Sequence, residues 1–544
     1  RGIIVYTLIK GEYMTKFYKR IAAPASGKSY GAIRYIVQQI KDNNKRYILT
    51  AISIDLCRDL YNNLMDLDSD VKIDLILSDN TSNRIRVQDR YADHLQQSDC
   101  DIIIVTHKTL LNSYGNVNTD GWAMVVDELP NIVQMKVISG TINNDNISQW
   151  LEYKHPEDEN GYREMAVKTG WEKTLSTQIA AAEDISNEDT FMADSALHGL
   201  QGLLSGDTTI LRSEYVDKED GLTKVKYFFS HIYNPFVLWK GLEEVVFLCA
   251  DFENQHTALI VKHKFNIEVQ EKEEITLRAT AYKNPERIKI YPLLMPPSNF
   301  SRDLSTKYMS PTSSRKFNAN IYENLKEIFQ HLVDVAETIV GDNGYIYTVN
   351  KFRNEQIDKG DYTFLAERDK VERLKYNPHG LNRFMDHTIA LGLFHCNPAP
   401  YQKTLLKHIA ESCGQPEEIF LKGYETSAYL DPIFQLITRT AIRKFDELEE
   451  IICIVPDNRA AKYLTDGWFK GAEISYKHSV ALADGRKANS RPTKFQNLFE
   501  MNNSEQGKYS RWVKKQGKTL KEMSTTNDNH IDMVTNWITD LRGE

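Results

Sequence analysis

The sequence predicts an α/β chain with two parallel sheets, each flanked by helices. Three observations lead there. Apolar strand-like runs alternate with amphipathic helical stretches over the first ~135 residues and again from about 320 to 470. Several of these runs, such as DIIIVT at 101–106 and VVFLCA at 245–250, are apolar throughout, as strands covered on both faces are. A short loop containing Gly27 joins the first strand to the first helix.

In the first block, strands are expected at 17–22, 46–51, 101–106 and 123–126, with helices at 30–40 and 54–64. From 136 to 240 the pattern loosens. A solvated loop (HPEDENG, 155–161) is followed by two paired strands, 209–215 and 224–229, around a turn at 217–221. The run at 245–250 then returns to the buried-strand pattern, so 136–240 reads as an insertion. A Pro-, Ser- and Thr-rich linker is expected at 296–314. The second block has a long amphipathic helix at 321–340, strands at 345–349 and 451–455, and a helix at 432–444. The expected domains are therefore 14–135 plus 241–295, the insertion 136–240, the linker 296–314, a second domain 315–470 and a basic extension 471–544. Within that extension, residues 476–521 hold 11 Lys/Arg against 3 Asp/Glu.

Composition narrows the class. Of 544 residues, 41% are hydrophobic and 26% charged, which excludes a disordered, collagen-like or disulfide-scaffold chain. The formal charge of −8 means that any nucleic-acid partner is held by local basic surfaces. Six cysteines, the closest two 17 apart, exclude knuckle spacing and fit a reducing compartment such as the cytoplasm. No window is long and apolar enough for a membrane span. Residues 1–13 are expected to be translated leader ahead of Met14, because Lys10-Gly11-Glu12 can be encoded by a ribosome-binding purine run.

Two motifs carry chemistry. Ala22-Ala-Pro-Ala-Ser-Gly-Lys-Ser29 lies between a strand and a helix, the setting of a phosphate-binding loop, with Ala22 where the strict pattern has Gly. The backbone of Ala25, Ser26 and Gly27 can cradle phosphate oxygens, Lys28 supplies a point charge, and Ser29 offers a hydroxyl to Mg²⁺. About 100 residues on, Met124-Val-Val-Asp-Glu-Leu-Pro130 is an apolar strand ending in acids. Asp127 there can hold Mg²⁺, and Glu128 can orient or deprotonate an attacking water. Together they predict a nucleoside triphosphatase that uses Mg²⁺. In the second block, Gln435, Arg439 and Arg443 fall at i, i+4 and i+8, one face of a helix, where arginines can stabilise charge on a transferring phosphoryl group.

With these residues in place, the chain resembles superfamily 2 helicases of the DEAD-like group, most closely those of bacteriophages, over roughly 17–470. Ala22–Ser29 resembles motif I, Asp127-Glu128 motif II and Gln435–Arg443 motif VI. The segment 48–60, with Thr50 and Ser53, resembles motif Ia, and Val105-Thr106-His107-Lys108 resembles motif Ib; both contact nucleic acid in the family. Residues 345–351 resemble motif IV and 380–386 motif V. Motif II reads Asp-Glu-Leu-Pro, and the motif III position reads Cys249-Ala250-Asp251 in place of Ser-Ala-Thr. The resemblance implies two RecA-like domains that hydrolyse ATP at the cleft between them, the second delivering Arg439 and Arg443. It also implies movement on single-stranded or forked DNA, with replication or recombination proteins as partners. Two alternatives stand beside it: an ATPase accessory factor that does not unwind, and a phage packaging ATPase, which needs a two-metal carboxylate cluster that Asp431, Asp446 and Asp457 do not obviously supply. The tail residues Lys508, Tyr509, Arg511, Trp512, Lys514 and Lys515 suit either single-strand binding or a solvated amphipathic helix.

Overall fold

The computed structural model describes residues 15–80, 86–97, 99–141, 145, 147–183, 194–217, 221–279, 282–307, 327–359, 370–376, 383–444, 448–482, 503–517 and 528–542. The expected leader, residues 380–382 of the motif V match and Asp446 lie outside them.

The fold is α/β with parallel sheets, as the alternation predicts. The chain divides into two units, the first comprising 1–283, 377–385 and 398–446, the second 284–376, 386–397 and 447–544. In the first unit, β1 (Lys16–Ile21), β2 (Arg46–Ala51), β3 (Ile73–Leu75), β4 (Ile102–Thr106) and β5 (Trp122–Asp127) form most of a seven-stranded sheet. The chain then leaves it for a five-stranded antiparallel sheet: β6 (Val133–Thr141), β7 (Leu151–Tyr153), β8 (Arg163–Val167), β9 (Thr208–Val216) and β10 (Thr223–Ile232). It returns with β11 (Glu244–Cys249) and β12 (Gln270–Glu271), giving the order β12-β1-β11-β5-β2-β4-β3, all parallel.

The central strands β1, β11, β5, β2 and β4 each feed two cores. On β5, Trp122, Met124 and Val126 join one core, and Ala123 and Val125 join the other. That is why these runs are apolar at every position. In the antiparallel sheet β9 and β10 pair as the sequence predicts. Tyr227 and Phe229 on β10 close over the helices Glu172–Glu183 and Asp194–Ser205 in a separate core.

The second unit holds β13 (Ile288–Pro292), β14 (Tyr345–Val349), β15 (Val371–Arg373), β16 (Ile389–Leu393), β17 (Ile451–Val455) and β18 (Glu473–Ile474), parallel in the order β15-β14-β16-β17-β13-β18. Three expected boundaries shift here. β13 falls within 241–295, yet it lies between β17 and β18 in this sheet, because its apolar Ile288 and Ile290 complete that core. The extension expected from 471 supplies β18, and Val480 bridges to Leu294. Inside the expected linker Phe300 is buried and donates its N–H to Asp457 at 2.8 Å. The helix expected from 321 is described from Ile328 to Val340. In the tail, Tyr509 and Trp512 of the helix Asn503–Lys515 pack against Trp537 of the helix Asp528–Arg542, so those aromatics serve packing.

The largest change concerns 398–446. The sequence places it in the second domain, but it belongs to the first unit. Ile409, Ala410 and Phe420 enter the core beneath the first sheet. Gly423 approaches the helix His256–His263 so closely that a Cβ would lie 2.4 Å from Leu259, and Ser427 Oγ accepts from His256 N at 2.9 Å.

Candidate active site

The parallel order places β11 between β1 and β5, so the loop after β1 and the acids after β5 emerge close together at the same sheet edge. The loop runs from Ala22 into the helix Lys28–Asn43 with Gly27 at φ 87°. A Cβ at Gly27 would stand 2.8 Å from Arg278 Cγ, so glycine is required by both conformation and space. Ala25 also takes a left-handed φ of 66°, a strained choice for a residue with a Cβ. Lys28 is buried, its ammonium donating to the carbonyls of Ala22 and Ala23. Ser29 Oγ donates to both Asp127 oxygens, at 3.1 and 3.2 Å.

Glu128 follows Asp127 with φ 68°, and its N–H donates to Leu248 O of β11 at 2.7 Å. That bond helps hold a backbone conformation unusual for a non-glycine residue, as occurs at functional sites. The carboxylate is met from the segment 398–446. Gln435 Nε2 donates to Glu128 Oε1 at 3.4 Å, and Gln435 Oε1 accepts from Arg439 Nη2 at 2.7 Å. Burial pushes the carboxyls of Asp127, Glu128 and Asp431 above their ordinary values, with the Lys28 charge opposing. Asp431 and Asp127 raise Glu128 further by repulsion. Burial also drives the Arg439 guanidinium down. Buried Ser26 Oγ, Glu128 Oε2 and Asp431 Oδ1 have no hydrogen-bond partner. Lys28, Ser26 and the loop backbone can take phosphate oxygens, and Ser29 with Asp127 offers hard oxygen ligands to a divalent cation. This donor set fits a nucleoside triphosphate with Mg²⁺.

The expected helix at 432–444 does not persist. It runs from Asp431 to Ile437 and gives way to a turn and a 3-10 segment at Ala441–Arg443. The hydroxyls of Thr438 and Thr440 donate back to the carbonyls of Gln435 (3.1 Å) and Ile437 (2.8 Å), competing with helical bonding. Gln435 and Arg439 still meet, while Arg443 Nε turns to the carbonyl of Thr438.

The residues expected to face nucleic acid are placed unevenly. Thr50 and His107 are buried at 0% and 6% exposure, which corrects the expectation that they contact a strand from this conformation. Thr50 lies near the end of β2, ahead of the helix Ile54–Leu67, and His107 is the first residue of the helix His107–Asn112. Ser53 and Thr106 are the N-caps of those helices, accepting from Leu56 N and Thr109 N at 3.2 Å each. Lys108 is exposed. Cys249 is fully buried at the end of β11, and Asp251 caps Asn254.

Sequence reasoning missed a strap, residues 272–279 and Tyr282, that holds the phosphate loop from outside. Arg278 N and Ala279 N donate to Ser26 O at 2.8 and 3.2 Å, and Tyr282 Oη donates to Pro24 O at 2.7 Å. No local pattern marks it, because its anchors are backbone groups and a lone tyrosine.

The first unit also has an acid-sensitive group. Burial lowers His256 to about 4, against an ordinary 6.5, among Phe420 and Tyr424. A depressed histidine stays neutral when folded and takes up its proton on unfolding. Its stabilisation is therefore full above pH 6.5 and lost as pH falls toward 4, by up to about 3 kcal/mol. Urea unfolding at pH 7, 6 and 5 is expected to show this loss, to which buried His107, also lowered to about 4, adds; His256→Leu is expected to make the slope shallower, and an equal slope in the variant would contradict the assignment.

Residues 19–146 match the DEAD/DEAH box helicase family. No curated protein matches the chain. Among solved structures, RecG bound to a three-way DNA junction shares 9% identity over 83% of this chain, with a TM-score of 0.31, and this chain spans 42% of its length. Dbp5 of S. cerevisiae bound to RNA and ADP BeF3 shares 11% over 86% of this chain and 85% of its own, at 0.33. T4 UvsW shares 10% over 86% and 74%, at 0.21. The matched segment contains the phosphate loop and the acids after β5.

Proposed function

We propose that this chain is an ATP-driven helicase or translocase acting on nucleic acid, with DNA the favoured polymer in single-stranded or forked form. The observation that carries this is the linked set Ser29–Asp127 and Glu128–Gln435–Arg439 around the phosphate loop. In this reading the loop backbone, Ser26 and Lys28 bind the triphosphate, and Ser29 and Asp127 hold Mg²⁺, which supplies charge neutralisation on the β- and γ-phosphates. Glu128 orients water and receives its proton as the β–γ bond breaks to ADP and phosphate. Arg439, held by Gln435, balances charge on the leaving oxygens. Gln435 ties Glu128 to the segment 398–446, so a change at the phosphate is felt by that segment, a route for nucleotide-dependent grip on a strand.

The test is ATP hydrolysis with and without single-stranded DNA and RNA. Stimulation by one polymer is expected, and Lys28→Ala is expected to lower it at least 100-fold, since the loop loses its only side-chain cation. Hydrolysis indifferent to both polymers would leave a triphosphatase and overturn the motor. A second reading, remodelling without unwinding, is favoured by Cys249 and Asp251 at the motif III position; strand separation on forked against blunt duplexes distinguishes it.

A further inference from the structure

Residues 506–521 hold six Lys/Arg and no Asp/Glu, in a chain whose formal charge is −8. The helix Asn503–Lys515 covers the first part of this stretch and is divided lengthwise. At about 100° per residue, Lys508, Arg511, Lys514 and Lys515 share an arc of roughly 120°, and Tyr509, Trp512 and Val513 lie on the opposite side. All four cations are exposed. Tyr509 and Val513 are each 1% exposed, and the Trp512 ring stacks on Trp537 at 5.3 Å and 27°. Trp537 belongs to the helix Asp528–Arg542, whose Val534 and Ile538 are buried as well. The apolar side is therefore covered by a neighbouring helix, and the cationic side is left to solvent.

We propose that this cationic face grips duplex DNA through its phosphates, without reading base sequence. That nucleic acid is the partner rests on the function proposed above; the face itself lies outside both the nucleotide site and the segment 19–146. Single-strand binding draws much of its strength from bases stacked on aromatic rings. Here Tyr509 and Trp512 are occupied in the seam between two helices, so charge is what remains to bind with. Charge favours the duplex, which carries about one phosphate per 1.7 Å of its axis, about twice the density of one strand. From Lys508 to Lys515 the helix rises about 10 Å, a length over which a duplex presents about six phosphates. Four cations can neutralise about four of them. The grip acts as a tether: it raises the local concentration of substrate at the motor and adds nothing to the chemistry.

The test is fluorescence-anisotropy binding of the full chain, without nucleotide, to a short DNA duplex of mixed sequence and to one of its strands, from about 50 to 200 mM salt. The combined variant Lys508→Gln, Arg511→Gln, Lys514→Gln and Lys515→Gln is expected to make the slope of log affinity against log salt shallower by about 3–4 on the duplex. It is expected to weaken single-strand binding less and to leave unstimulated ATP hydrolysis unchanged. Lys508→Arg, Lys514→Arg and Lys515→Arg together keep the charge and are expected to keep the slope. An unchanged duplex slope in the Gln variant would overturn the grip; stimulation of ATP hydrolysis by single-stranded DNA would then leave the motor standing without it. A charge-dependent duplex slope with hydrolysis indifferent to every polymer would support the grip and overturn the motor. A larger loss on the single strand than on the duplex would overturn the grip in favour of base stacking. Binding to phosphatidylserine vesicles in place of the duplex would overturn it in favour of a membrane surface.

Discussion

Glu128→Gln is expected to lower nucleic-acid-stimulated ATP hydrolysis by about 10²–10³-fold while ADP affinity stays within a few-fold. Gln keeps the shape of Glu and an oxygen able to accept from Gln435 Nε2, so the bond to the segment 398–446 survives. What disappears is the group that, in the proposed mechanism, receives the proton of water. Stability is expected to move the other way. Burial and the neighbouring Asp127 and Asp431 hold the Glu128 carboxyl above its ordinary value. An ionised Glu128 therefore opposes folding near neutral pH, and a neutral amide relieves that opposition by about 1 kcal/mol. Single-turnover hydrolysis, ADP calorimetry and thermal unfolding of the same variant check all three parts. A variant that hydrolyses at the original rate would remove Glu128 from the chemistry and leave its left-handed backbone without a catalytic explanation.

Lys272→Met is expected to destabilise the first unit by about 3–5 kcal/mol. Lys272 and Glu244 are both 5% exposed and form an ion pair at 2.9 Å. Tyr35 and Tyr47 donate their hydroxyls to the other Glu244 oxygen at 3.1 and 3.3 Å. Burial draws the Lys272 ammonium down, but Glu244 and Tyr35 outweigh it and hold the group above its ordinary value. Its stabilisation is thus present below about pH 10.5 and lost only as pH rises beyond it. Removing the ammonium leaves a buried carboxylate with two hydroxyls and a distant Lys45, 4.0 Å away. The double change Lys272→Met with Glu244→Leu is expected to recover most of the loss, since both charges then leave the interior together. Lys272 also begins the strap, its N–H donating to Lys19 O at 2.8 Å. A single variant that unfolds at the original urea midpoint would show that water reaches Glu244 readily.

Local pattern made much of the fold legible. The apolar run 122–127 is fully buried because it feeds two cores, and that same run delivers Asp127 and Glu128 at its end. The loop from Ala22 to Ser29 needed only its own residues and the strand–helix junction around it. The hairpin of β9 and β10 was legible from its turn.

Periodicity alone overextended the helix beyond Ile437, because the Thr438 and Thr440 hydroxyls offer the carbonyls other partners. It also left open whether Thr50 and His107 face outward; both are buried. The parallel α/β plan, the loop from Ala22 to Ser29 and the acids after β5 are readable locally, since each depends on residues near one another in the chain. Long-range packing sets 398–446 with the first sheet and Gln435 beside Glu128, brings β13 into the second sheet, and lays 272–279 and Tyr282 over the phosphate loop. Each of these depends on burial and backbone bonding between residues far apart in the chain, which no local spacing records.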